Sequence, residues 1–160
     1  MKGECGVYSS GTVLNMKVST SEVIKSKSGR WVCADGSGYL QMMSATSVDV
    51  LGWVPGVFEE TSNASAGVTT WPVETAFLDK LWVMPACGAA GAATTEALMQ
   101  AAVGESFDVQ MVSTNYQYAS LVASVVSILV GYGYIYEGSA AGQQYMIIKI
   151  NPVKLAYTAH

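Results

Sequence analysis

Charge is what this chain has least of. Only 12% of its 160 residues are Asp, Glu, Lys or Arg, about half the share of roughly 25% found in soluble domains. Such a chain cannot cover its own surface with charged side chains. Basic residues are the scarcer kind, 8 against 12 acidic for a net charge of -4, and Arg30 is the sole arginine. The basic footprint through which nucleic acid is bound by counterion release is missing, so no direct nucleic-acid partner is expected.

Histidine is nearly absent. The single one is His160, the last residue, in a position where chains fray. Its scarcity removes the usual proton carrier near neutrality, and with it every Ser–His or Cys–His nucleophile. There is no Gly-x-Ser-x-Gly elbow, no His-Glu-x-x-His and no Walker loop. Glu59-Glu60 is the one adjacent carboxylate pair, and strand neighbours point to opposite faces, so the two cannot share acid–base work. The other acidic residues are single and scattered, which leaves no calcium loop. Cysteine is also sparse: Cys5, Cys33 and Cys87 stand far apart, with no Cys-x-x-Cys pair and no histidine to complete a zinc tetrahedron. They read as reduced thiols used as small hydrophobes. No catalytic residue, metal or cofactor is expected.

From Val109 to Tyr136 there is no charged residue, which raises the question of a membrane span of about 20 apolar residues. Asn115, Gln117, Ser120, Ser124, Ser127, Gly131 and Gly133 interrupt the run, no Lys or Arg orients it, and its valine and tyrosine bias is that of a strand. Buried sheet is expected and no membrane, with Leu121 to Val130 left open between strand and helix. Gly88-Ala89-Ala90-Gly91 precedes a helix signal but no Lys follows, so it reads as a small-residue connection and not an anion site. Asn63-Ala64-Ser65 reads as a polar loop. Met1-Lys2-Gly3-Glu4-Cys5 has no apolar core behind it, and folding in the cytoplasm is expected.

What is present is apolar payload. Hydrophobic residues make up 51% of the chain, with four Trp and nine Tyr and a mean hydropathy of +0.31. Intrinsic disorder is thereby excluded. A chain of this length buries roughly 70% of its unfolded surface in one core, and one domain over residues 1–160 is expected.

The dominant period is two. Leu14, Met16 and Val18 alternate with Asn15, Lys17 and Ser19, the pattern of a half-buried strand. Val23 to Lys27 and Arg30 to Ala34 flank Ser28-Gly29 as a hairpin, Asp35-Gly36-Ser37-Gly38 turns the chain, and Tyr39 to Met43 and Val48 to Val54 continue as strands. The stretch from Val68 to Met84 is β-prone, and Pro72 places its first part at a sheet edge. One short helix is expected near 94–103: Thr94 or Thr95 caps it, Glu96 favours its dipole and Gly104 stops it. Phe107 to Met111 resumes the strand pattern, and Tyr132, Tyr134 and Tyr136 lead through Gly138 to Gly142 into Tyr145 to Ile150 as a long hairpin. The fold class is all-β, a β-sandwich or small, tulip-like β-barrel. No repeat of fixed period is visible.

The run Gly29-Arg30-Trp31-Val32-Cys33-Ala34-Asp35-Gly36-Ser37-Gly38-Tyr39 followed by Val50-Leu51-Gly52-Trp53-Val54 resembles the small head decoration, or cement, proteins of tailed bacteriophages. The later half is similar too, in Ser113 to Ala119, an apolar segment, a Gly-rich turn and a closing strand ending in Ile150-Asn151-Pro152. The resemblance implies a non-enzymatic virion protein on the outer capsid surface, made in the host cytoplasm. It would join neighbouring major capsid subunits and associate with itself as a trimer or dimer. An extended N-terminal arm over residues 1–10 would add a strand to a neighbour's sheet, with Val7, Tyr8 and Trp71 as contacts. The alternative reading is a small β-barrel whose tryptophans enclose an apolar ligand.

Overall fold

The computed structural model describes residues 6–7, 13–20, 22, 30–55, 65–75, 80–112, 116–122 and 126–154. The fold is all-β with one short helix. In chain order the strands are β1 (Gly6–Val7), β2 (Val13–Lys17), β3 (Arg30–Ala34), β4 (Leu40–Met42), β5 (Gly52–Val54), β6 (Thr70–Thr75) and β7 (Trp82–Cys87). After the helix α1 (Glu96–Ala101) come β8 (Ser106–Val112), β9 (Tyr116–Ser120), β10 (Leu129–Tyr136) and β11 (Gln144–Ile150).

Each half of the chain closes into a ring. In the first, the order is β2-β6-β5-β3-β4, and a parallel bridge between Val18 and Leu40 joins the last strand back to the first. In the second, the order is β7-β11-β10-β8-β9, and Ala86 and Cys87 pair in parallel with Ala119 and Ser120 to close it. Up-and-down alternation cannot run round an odd number of strands, so a five-strand ring needs one parallel seam, and each has one. Numbered within its own half, each ring reads first, fifth, fourth, second, third. The architecture repeats where the sequence shows no repeat.

Local chemistry explains most of the elements. Thr95 caps α1, its Oγ1 accepting the Leu98 N–H at 3.3 Å, and Glu96 occupies the first turn as the dipole prefers. Gly104, at φ 88, takes the left-handed conformation that ends the helix. Gly131 is required for a different reason: a Cβ there would overlap the Ala102 carbonyl oxygen. That close approach lets the segment after α1 dock on β10, with Gly104 N–H donating to the Gly131 carbonyl at 2.9 Å and Gly131 N–H to the Glu105 carbonyl at 3.0 Å. The register then shifts between Gly131 and Gly133, a bulge that leaves Tyr132 outside at 55% exposure.

Two expectations are corrected. Pro72 does not mark a sheet edge, because β6 lies between β2 and β5. It is tolerated since β5 pairs only with Glu74 and Thr75, so no ladder bond is asked of the missing N–H. Among the described residues, Leu121 to Val130 is strand only from Leu129 onward; Leu121 and Val122 form a turn. The segment is held instead by buried Asp108, whose Oδ1 accepts the Val126 N–H at 3.1 Å and the Ser127 N–H at 2.6 Å. The half of the expected hairpin at Val23 to Lys27 lies outside the described residues.

Two apolar clusters result. Val18, Val32, Leu40, Val54, Trp71 and Val73 fill the first ring. The larger cluster joins the rings: Trp31, Cys33, Val50 and Trp53 from the first half pack with Trp82, Met84, Phe107, Val109, Leu129 and Met146 from the second. Trp31 meets Trp53 at 5.2 Å and Trp82 at 4.5 Å between ring centroids, both edge-on as the ring quadrupoles favour.

Candidate interaction surface

The buried polar groups hold the scaffold. Gln117, on β9, crosses between the rings: its Oε1 accepts the Trp31 N–H at 2.7 Å, while its Nε2 donates to the Trp31 carbonyl at 2.9 Å and the Met43 carbonyl at 2.8 Å. Gln144 donates to the Gly138 carbonyl and to the Ala140 carbonyl at 2.7 Å, tying the β10–β11 turn. Lys80 and Glu74 form a buried ion pair, with the ammonium 5.6 Å from the centroid of the Trp82 ring. A charge pair this deep is held by its own geometry and by the aromatic face. Asp35 sits at a turn, where the Ser19 hydroxyl and then the Tyr39 and Ser37 N–H groups bond to its carboxylate and hold its pKa below the ordinary value.

The two described cysteines are free and buried. Burial pushes the Cys33 thiol up and the Cys87 thiol up to about 11, so neither is a thiolate nucleophile near neutrality. Among the described residues no three His, Cys, Asp or Glu side chains gather. No helix among them is long and apolar enough to cross a membrane.

The tryptophans are inside. Trp31, Trp71 and Trp82 are at most 1% exposed, and Trp31, Trp53 and Trp82 pack on one another at the junction. Trp71, expected as a surface contact, lies within the first ring's cluster and is 1% exposed in the single chain. Val7 pairs through its backbone with Trp82, so the described part of the arm lies on its own chain's β7. Tyr8 lies outside the described residues.

No family model, curated protein or solved structure matches this chain.

The surface itself singles out β2. Its inner face carries Leu14 and Met16, opposite buried Val73 and Trp71 on β6. Yet Leu14 is 49% exposed and Val13, on the outer face, 56%. At Val13 and Leu14 neither face of the strand is covered, whereas Met16 further along packs against the first ring's cluster, and among the described residues β2 is paired over Val13–Lys17 on its β6 edge alone. Other large apolar side chains are exposed as well, including Val48, Val68 and Val153, as is common on protein surfaces. The sequence held a signal for β2: Val13 puts a large apolar residue on the face that Asn15 and Lys17 make polar, so two large apolar neighbours break the alternation.

Proposed function

We propose that this chain is a structural protein of a tailed-phage head, not an enzyme. It binds the outer surface of the capsid, cements neighbouring major capsid subunits, and associates with itself; its place is the virion, after synthesis in the host cytoplasm. The observation that carries this reading is β2, a strand that leaves Val13 and Leu14 open on its two faces and, among the described residues, is paired over Val13–Lys17 on one side. Natural proteins blunt such edges unless a partner covers them. The charge-poor composition supports the same reading, because 12% charged residues suit a surface held against other protein. The internal use of Gln117, Asp108 and Gln144 supports it too, since these groups stiffen a scaffold.

The test is direct. Purified chain is mixed with expanded heads lacking it and the heads are sedimented. The expected result is saturable co-sedimentation in a fixed ratio to the major capsid protein, with added resistance of the heads to heating. Chain that stays in the supernatant at saturating concentration overturns the proposal.

A further inference from the structure

The two rings share one strand order, so β2 and β7 are equivalent first strands. Each has its closing partner at its C-terminal end: β4 reaches Val18, and β9 reaches Ala86 and Cys87. Ahead of that seam the same edge is left over. On β7 it is occupied, because β1 pairs antiparallel there, Gly6 with Val83 and Val7 with Trp82. On β2 the corresponding edge over Val13–Lys17 has no strand against it among the described residues.

Backbone directions can be assigned. Val18 N–H donates to the Thr69 carbonyl on the β6 side at 2.9 Å, and the next N–H, that of Ser19, turns the other way to the Leu40 carbonyl at 2.8 Å. Alternation back along the strand aims the peptide groups of Leu14 and Met16 at β6, and those of Val13, Asn15 and Lys17 at the open edge. Pro72 stands opposite Asn15, where β2 asks for no N–H. The open edge therefore offers alternate donors and acceptors in register for an antiparallel strand.

We infer that this edge pairs with β2 of a second copy, antiparallel, about a two-fold axis at Asn15. The strand is complementary to itself in that register. Leu14 of one copy meets Met16 of the other on the inner face, Asn15 meets Asn15, and Lys17 meets Val13, so the inner-face pairs are apolar and no like charges oppose. The contact is isologous, as a two-fold requires. A pair of five-residue strands is smaller than a standard stable interface, so the dimer depends on concentration in solution and strengthens when copies are held side by side on a surface. The inference rests on the assembly reading for its biological use, but its test does not need the head.

The experiment uses the full chain. Sedimentation equilibrium across a concentration series gives a monomer–dimer equilibrium. Asn15→Pro removes an outward N–H while sparing the β6 ladder, because prolines are accepted on strand edges, and it gives a monomer throughout. In a Cys5→Ser background, Asn15→Cys closes to a covalent dimer on mild oxidation, since directly opposed hydrogen-bonded residues lie about 5.5 Å apart at Cα, within disulfide reach. Lys17→Cys in the same background does not. Tryptophan emission from the buried junction verifies that each variant is folded. A wild type monomeric at every concentration, a folded Asn15→Pro that still dimerises, or an Asn15→Cys that fails to cross-link overturns the inference. A monomer that still decorates heads overturns it while leaving the assembly proposal standing; a β2-paired dimer that ignores heads does the reverse.

Discussion

Gln117 carries more of this fold than its chemistry advertises. It is an uncharged side chain on a strand, yet it satisfies three backbone groups 74 to 86 residues away in sequence. Replacing it with leucine keeps the volume and leaves those groups buried without partners, a loss of about 3 kcal/mol at the usual cost of an unmade buried hydrogen bond. Gln117→Leu should lower the urea midpoint with an unchanged slope, read by tryptophan emission. Cys87 gives a pH prediction. Its folded pKa is raised from 9.0 to about 11 by burial, so the neutral thiol is the form the fold favours. The stability it contributes is whole below pH 9.0 and is lost as pH rises towards about 11. Melting temperatures followed across that window should fall more steeply for the wild type than for Cys87→Ala.

At the scale of elements, Gly131 is the joint between α1 and the second ring. Gly131→Ala drives a methyl group into the Ala102 carbonyl, and neither side is a flexible side chain that can swing away. An overpacking cost of about 2 kcal/mol is expected, with faster amide exchange at Gly104, which donates to the Gly131 carbonyl, and at Gly131, which donates to the Glu105 carbonyl. Such local features were the legible part of the sequence. The Thr95 cap, the Gly104 stop and the Gly138 to Gly142 turn are all written within a few residues of the elements they define, and α1, β10 and β11 fall where those signals put them. The parallel seams were illegible, because Val18 meets Leu40 and Ala86 meets Ala119 through contacts that leave no local pattern. Leu121 to Val130 misled for a related reason: Asp108, in a different strand, captures its backbone. Of the surface, the Val13-Leu14 pair was visible as broken alternation, but its meaning depended on knowing that β2 ends its sheet, with one edge unpaired among the described residues.

At the scale of the molecule, two small rings of one topology are fused through a tryptophan junction. A single five-strand ring has little interior, and here Trp31, Trp53 and Trp82 give the pair a shared one. With its four tryptophans buried, the proposed contacts with partners fall to backbone edges and aliphatic side chains, which would suit a protein fixed in place by many weak contacts repeated over a lattice. The proposed place on a phage capsid can be checked by a reconstruction of the mature head. Density for ringed pairs is expected at regular positions on the outer face, bridging adjacent major capsid subunits. An outer face bare of that density, in heads whose capsid subunits are fully resolved, would contradict it.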